Sequence, residues 1–313
     1  MRKKLLQILL IVLACFIMFK IGVSVGYKKY IKEYHEQEIQ KQSDTVQNSE
    51  SKKEQQTEEN ETALTDLKSM IENEINNKLG TWAVYVEDLK NGNKLQINNH
   101  KMVSASLIKL FIMGEVYNEV LSDDIDKKAV DNYLERMITI SDNHSSNVLV
   151  ARLGGGEYSD MYSQTFQDGL KKVNQFAKSI DCLDTEQQRD MMDSRPKPIT
   201  EQNYTSVVDC GNILSKIYHK QLISDDYDTE MLELLKKQTR RSKIPAGIPS
   251  DIKCANKTGE LSDVENDVAI VFSPSCDYII CVMSNDVPDT TEARNTITKI
   301  SSIVYNYFNS NSN

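Results

Sequence analysis

The sequence predicts an α+β fold in which one antiparallel sheet draws strands from both ends of the folded region, with a helical lobe inserted between its halves. Three observations carry this expectation. Alternating strand-like runs occur early, at Trp82-Ala83-Val84-Tyr85-Val86 and 95–97, and again late, at 252–257, 266–272 and 278–284. The stretch between them is dominated by apolar residues spaced three and four apart. Asn91-Gly92 separates the two early runs and suits the tight turn of an antiparallel hairpin.

The elements follow in order. Leu64, Leu67, Ile71 and Ile75 mark one apolar helix face before the hairpin. From Ser106 an apolar helix is expected through Val120, and further helices fit 128–136, 143–153, 168–179, 205–218 and 229–237. After the three late strands, 291–308 closes the chain with a long helix.

Ahead of this region, residues 1–27 combine a basic start with an apolar stretch at 5–27 that is long enough to cross a bilayer at a rise of about 1.5 Å per residue. That length, without a clean small-residue cleavage site, favours a retained anchor with its basic end inside and the rest outside the cell. The alternatives are a lipoprotein signal ending at Cys15, or a secreted protein. Residues 28–62 are rich in Gln, Glu, Lys and Ser, contain no Gly or Pro, and read as a polar stalk that cannot bury enough surface to offset its ordering entropy. The folded domain is expected over 63–313, enough chain for a substantial core.

Past residue 27 there are 33 basic and 46 acidic residues, which argues against a nucleic-acid partner. Cys182, Cys210, Cys254, Cys276 and Cys281 lack paired Cys-x-x-Cys spacing, and only His35, His100, His144 and His219 accompany them, so no metal site is expected. Cys182 with Cys210 is the disulfide to test, since both flank one irregular segment. Free buried thiols are the equally plain alternative.

Three polar clusters carry the chemistry. In Ser106-Leu107-Ile108-Lys109 the amine lies three residues beyond the hydroxyl and faces the same side of a helix. Packed among apolar neighbours, Lys109 would lose proton affinity and accept the Ser106 proton. Ser106 near the helix start would also turn its own N–H toward an oxyanion. Alone, the pattern is weak, because a helix-start serine with a solvent lysine is common.

In Ser141-Asp142-Asn143, Ser141 is placed to relay a proton, Asn143 to hold a substrate amide, and Asp142 to satisfy local backbone donors. Taken alone, such a triad is more often a cap or turn. Lys257-Thr258-Gly259 ends a strand-like run. Lys257 and Thr258 suit a carboxylate, Gly259 gives close backbone access, and the N–H of Glu260 is the candidate second oxyanion donor.

With these clusters in this order, the chain resembles the serine β-lactamase and penicillin-binding superfamily, and within it the class A β-lactamases. The stretch Ile138-Thr139-Ile140-Ser141-Asp142-Asn143-His144-Ser145-Ser146-Asn147-Val148-Leu149, followed by Leu153-Gly154-Gly155, is similar in wording and position. So are Gln238-Thr239-Arg240-Arg241 with Ile244-Pro245-Ala246-Gly247-Ile248-Pro249, and Asp267-Val268-Ala269-Ile270-Val271. The resemblance implies a five-stranded antiparallel sheet flanked by helices, beside an all-helical lobe, with the active site between them. It also implies Ser106 as nucleophile, Lys109 as acylation base, Ser141 as proton relay, Asn143 as a substrate contact and Lys257 with Thr258 as carboxylate recognition. No cofactor is implied. The expected partner is a β-lactam or a peptidoglycan-type peptide.

Two departures qualify the resemblance. Ser106 and Ser141 are 35 residues apart, shorter than in typical class A enzymes, so a more open cleft is expected. Matching Thr185 and Arg189 to the Thr and Arg that precede the family's water-activating Glu places Met191 at the Glu position. A thioether cannot take a proton from water, so a long-lived acyl-enzyme is expected. Glu186, Asp190, Asp193 and Glu201 are the nearby carboxylates left to substitute. Two other readings compete: a penicillin-binding or carboxypeptidase-like enzyme, and a non-catalytic cell-wall-binding module.

Overall fold

The structure is a computed structural model that describes residues 64–191 and 201–310. The expected anchor at 1–27 and stalk at 28–62 lie outside the described residues, as does Asp193. Among the described residues no helix is long and apolar enough to cross a membrane.

Helix α1 (Thr65–Ile75) leads into the hairpin β1 (Thr81–Asp88) and β2 (Lys94–Ile97). Asp88 shapes the turn by accepting hydrogen bonds from the N–H groups of Lys90 and Asn91, and Gly92 takes the left-handed backbone at φ 74°. After the short β3 (Met102–Val103) and a 3₁₀ turn (Ala105–Ile108) come α2 (Lys109–Leu121), α3 (Lys127–Thr139), α4 (Asn143–Leu153) and α5 (Gln164–Ser179). Strand β4 (Tyr204–Thr205) precedes α6 (Val207–Tyr218) and α7 (Asp225–Lys236). A second 3₁₀ turn (Ile244–Gly247), strands β5 (Lys253–Glu260), β6 (Glu265–Phe272) and β7 (Tyr278–Asn285), and helix α8 (Thr290–Asn309) complete the order.

The main sheet has the order β2-β1-β7-β6-β5, antiparallel throughout, so the early hairpin joins the late strands through the β1–β7 pairing. Side chains alternate across it and feed two cores. Trp82, Val84, Ala269, Val271, Ile280 and Val282 pack with Leu67 and Ile71 of α1 and Ile297 and Ile300 of α8. Tyr85, Val268, Ile270, Ile279, Cys281 and Met283 pack on the other face with α6 and the core of the helical lobe. The five-stranded sheet flanked by helices beside an all-helical lobe is therefore present as expected.

The differences have local causes. The helices at 164–179 and 225–236 begin four residues earlier than the apolar spacing suggested, because Ser163 and Ser224 cap them with hydrogen bonds to Phe166 N and Tyr227 N. Thr205 does not open α6: Ser206 caps it, and Tyr204–Thr205 pairs instead with Met102–Val103. Two-residue strands carry no periodicity, so the sequence had no means of showing them. The segment expected as one helix from Ser106 starts as a 3₁₀ turn. Cys182 and Cys210 are not bridged; all five described cysteines are free thiols, and Cys182 Sγ donates to the carbonyl of Asp209.

Candidate active site

Ser106 lies in the 3₁₀ turn, and Lys109 is the first residue of α2. A 3₁₀ turn has three residues per turn, so the two side chains stack on one side more closely than an α-helix would place them. The residue before Ser106, Ala105, holds φ at 46°, a left-handed conformation that strains a residue with a Cβ by about 1–3 kcal/mol. Neighbouring elements hold it there. Asn266 of β6 donates to the carbonyls of Val103 (3.0 Å) and Ser104 (3.3 Å), and Ser104 N donates to Asn203 O at 2.8 Å.

Lys109 is fully buried, which removes the solvent-lysine interpretation. Its ammonium nitrogen lies 2.7 Å from Ser141 O, 3.2 Å from Ser141 Oγ and 2.6 Å from Asn143 Oδ1. Burial pushes its pKa down from 10.5 to about 7; the Asp142 carboxylate opposes that fall and the Arg240 guanidinium adds to it. Lys257, also fully buried, reaches Ser141 Oγ at 2.9 Å and Thr258 O at 2.8 Å. Its pKa is driven well down by burial first and then by the charge of Lys109. One hydroxyl, Ser141 Oγ, is thus shared by two desolvated amines. With Lys109 neutral, two N–H groups serve Ser141 O and Asn143 Oδ1, and its lone pair is left for a hydroxyl proton.

Ser141 sits at φ 61°, at the break between α3 and α4. Asp142 caps α4, accepting from Ser145 N at 2.7 Å. Among the described residues no hydrogen bond engages Ser106 Oγ, so Lys109 is committed to the Ser141–Asn143 segment in this state.

Strand β5 is an edge strand, and it reaches this cluster through the Lys257 amine. Leu261 N donates to Val264 O, which fixes the alternation: Lys257 and Gly259 bond to β6, while Thr258 and Glu260 turn their N–H groups outward. Side chains alternate too, so Lys257 points toward the helical lobe whereas Thr258 shares the opposite face with Asn256 and Glu260. Gly259 permits the close approach, since a Cβ there would sit 2.7 Å from Ser104 O and 3.3 Å from Ala105 Cβ. Gly259→Ala is expected to destabilise the protein by about 1–3 kcal/mol through overpacking, read from urea unfolding. An unchanged midpoint would mean that the turn yields freely.

Met191 is held by its backbone. Asn147 accepts from Met191 N at 2.8 Å and donates to Met191 O at 3.0 Å. Asn203 binds the same segment through the N–H groups of Gln188 and Arg189. Of the nearby carboxylates, Glu186 is ion-paired with Lys101 at 2.6 Å, and Asp190 is buried and accepts from Tyr158 at 2.5 Å. Asn147 and Asn203 were not singled out in the sequence. Asn147 lies four residues beyond Asn143 on the same helix face, and that spacing was the available signal.

The sequence matches the family described as the beta-lactamase enzyme family over residues 66–133 and 127–308. The chain belongs to this family. No curated protein sequence matches it significantly. Among solved structures, a β-lactamase from Sphaerobacter thermophilus DSM 20745 aligns at a TM-score of 0.67 and 20% identity, covering 78% of this chain and 97% of that one. PBP-A aligns at 0.68 and 21%, covering 79% and 97%. An ancestral class A β-lactamase aligns at 0.66 and 18%, covering 77% and 100%. At these identities the likeness is one of fold, and the β-lactamase family fold is what this chain shares with them.

Proposed function

We propose that this β-lactamase-family protein forms an acyl-enzyme on Ser106 with β-lactams or related cell-wall peptides, and releases it slowly. The observation that carries the reading is the buried Lys109 amine, 3.2 Å from Ser141 Oγ and linked through it to Lys257. In the first step the Ser106 proton moves to Lys109 Nζ as Oγ attacks the carbonyl carbon. The N–H groups of Ser106 and Glu260 stabilise the oxyanion. When the carbon–nitrogen bond breaks, Ser141 Oγ gives its proton to the leaving nitrogen and is reprotonated from the amines beside it. Asn143, the Lys257 amine and the outward edge of the strand at Thr258 bind the substrate, Thr258 through its N–H. Release requires a base for water, and Met191 supplies none.

The test is intact-mass spectrometry after adding penicillin to the wild type and to Ser106→Ala. A persistent adduct on the wild type alone is expected; an unmodified wild type with intact drug overturns the reading. Because Lys109 must be neutral to act, acylation is expected to fall about tenfold per pH unit below pH 7 and to level off above it. A flat profile between pH 5 and 8 would remove Lys109 from the step.

Met191 and the short Ser106–Ser141 spacing favour, as second reading, a penicillin-binding or carboxypeptidase-like enzyme, for which a chromogenic cephalosporin would barely turn over. Wall-fragment binding unchanged in Ser106→Ala, with no covalent adduct, would mark a non-catalytic module instead. In either case the proposal places the domain outside the cell, tethered through residues 1–27.

A further inference from the structure

Behind the strand that carries the outward Glu260 N–H lies a charge cluster that the acyl-transfer steps do not use. Glu260 and Glu265 are register partners across the β5–β6 hairpin, in a pair without mutual backbone hydrogen bonds, where side chains approach most closely. Two carboxylates placed opposite each other repel and would splay the hairpin end. Lys243 prevents this. Its ammonium nitrogen lies 3.0 Å from Glu260 Oε1 and 2.8 Å from Glu265 Oε2, and both Lys243 and Glu265 are fully buried.

Each end of the cluster is anchored separately. Arg294 of α8 binds Glu265 Oε1 through Nε at 2.8 Å and through its terminal nitrogen at 2.7 Å. Arg240 binds Glu260 Oε2 at 2.6 Å. The backbone around Lys243 is pinned as well: Ile244 N donates to Asp267 Oδ2 at 2.9 Å, and Thr298 Oγ1 of α8 donates to Lys243 O at 3.2 Å. Lys243 is therefore a fixed post between helix α8 and the last residue of β5, and among the described residues it is the one cation that touches both carboxylates.

Desolvating a lysine and a glutamate completely is costly, and a well-packed apolar pair commonly serves stability as well. Position is what the ion pair supplies. Glu260 has no β-neighbour on its outer side, so its N–H direction is set by the hairpin end and by the tie on its side chain. An oxyanion donor is worth about 10²–10³ in rate only when it is aimed at the developing charge.

We propose that Lys243 is a positioning residue for acylation: by tying Glu260 to Glu265 it aims the outward N–H of Glu260 at the oxyanion of the acylating substrate. The inference rests on the acyl-transfer reading above. Lys243→Met removes the post, and Glu260→Gln weakens the tie while leaving the buried Lys243–Glu265–Arg294 group intact. The measurement is the acylation rate constant at saturating penicillin, taken on the fraction of protein that becomes labelled. Both variants are expected to lower it about 10- to 100-fold, with the half-saturating concentration and final labelling unchanged. A purely structural role would instead reduce the labelled fraction and leave the rate constant of that fraction alone, which overturns the proposal.

Amide hydrogen exchange at Leu261, whose N–H bonds to Val264 O at the same hairpin end, provides a reading independent of acylation, with faster exchange expected in both variants. If the wild type is not acylated, the function proposed above fails; unaltered exchange at Leu261 overturns the positioning role whether or not acylation occurs. If Lys243→Met does not fold, Glu260→Gln decides, and wild-type values for it overturn the proposal.

Discussion

Met191→Glu is expected to shorten the lifetime of the penicillin adduct by about 10²–10⁴, the usual range for supplying a positioned general base. The side chain at 191 is carried on a backbone gripped from both sides by Asn147, so a carboxylate introduced there inherits a defined direction. Asn147 stands one helical turn from Asn143, whose Oδ1 binds Lys109 Nζ at 2.6 Å, which ties position 191 to the lysine proposed as acylation base. Acylation itself should be unaffected, because Met191 has no part in deprotonating Ser106. The gain should therefore appear in the decay of the adduct, followed by mass spectrometry after excess drug is removed. It should also appear as steady turnover of a chromogenic cephalosporin. An adduct of unchanged lifetime on a folded variant would show that position 191 does not face the ester.

Lys109→Met is expected to reduce acylation by about 10²–10⁴ while preserving the fold. Methionine fills the space of the lysine stem, and the change removes the cost of burying an amine. Against that gain, Ser141 O and Asn143 Oδ1 lose the Lys109 donor, and among the described residues Ser141 Oγ keeps only Lys257. The expected signature is a folded protein by circular dichroism that labels slowly and whose residual labelling no longer falls below pH 7. Labelling within tenfold of the wild type would assign the Ser106 proton to another acceptor, with Lys257 the nearest alternative through Ser141.

Much of the architecture was legible because it rests on short-range patterns. Leu67, Ile71 and Ile75 recur at helical spacing and are the buried face of α1. Asn91-Gly92 turns the hairpin where the sequence placed it, and α4 runs over Asn143–Leu153 as expected. Ser106, Lys109, Ser141 and Lys257 stood out by type and order, and the structure brings the last three into one hydrogen-bonded group beside the turn that carries Ser106. The 3₁₀ turn at Ala105–Ile108 was not legible. Its left-handed Ala105 is imposed by Asn266, Asn203 and the close passage of Gly259, all distant in sequence. The post at Lys243 was hidden for the same reason, since Glu260, Glu265 and Arg294 give no local period that would group them.

The amino-acid sequence alone settled which residue types were present for the proposed acyl transfer and which alternation or helical spacing each segment would follow, because both are properties of neighbours along the chain. Whether Lys109 was a solvated cation or a desolvated base, and where the N–H of Glu260 would point, was decided by tertiary packing. Burial and edge-strand geometry arise only when segments more than a hundred residues apart exclude water from the same small volume.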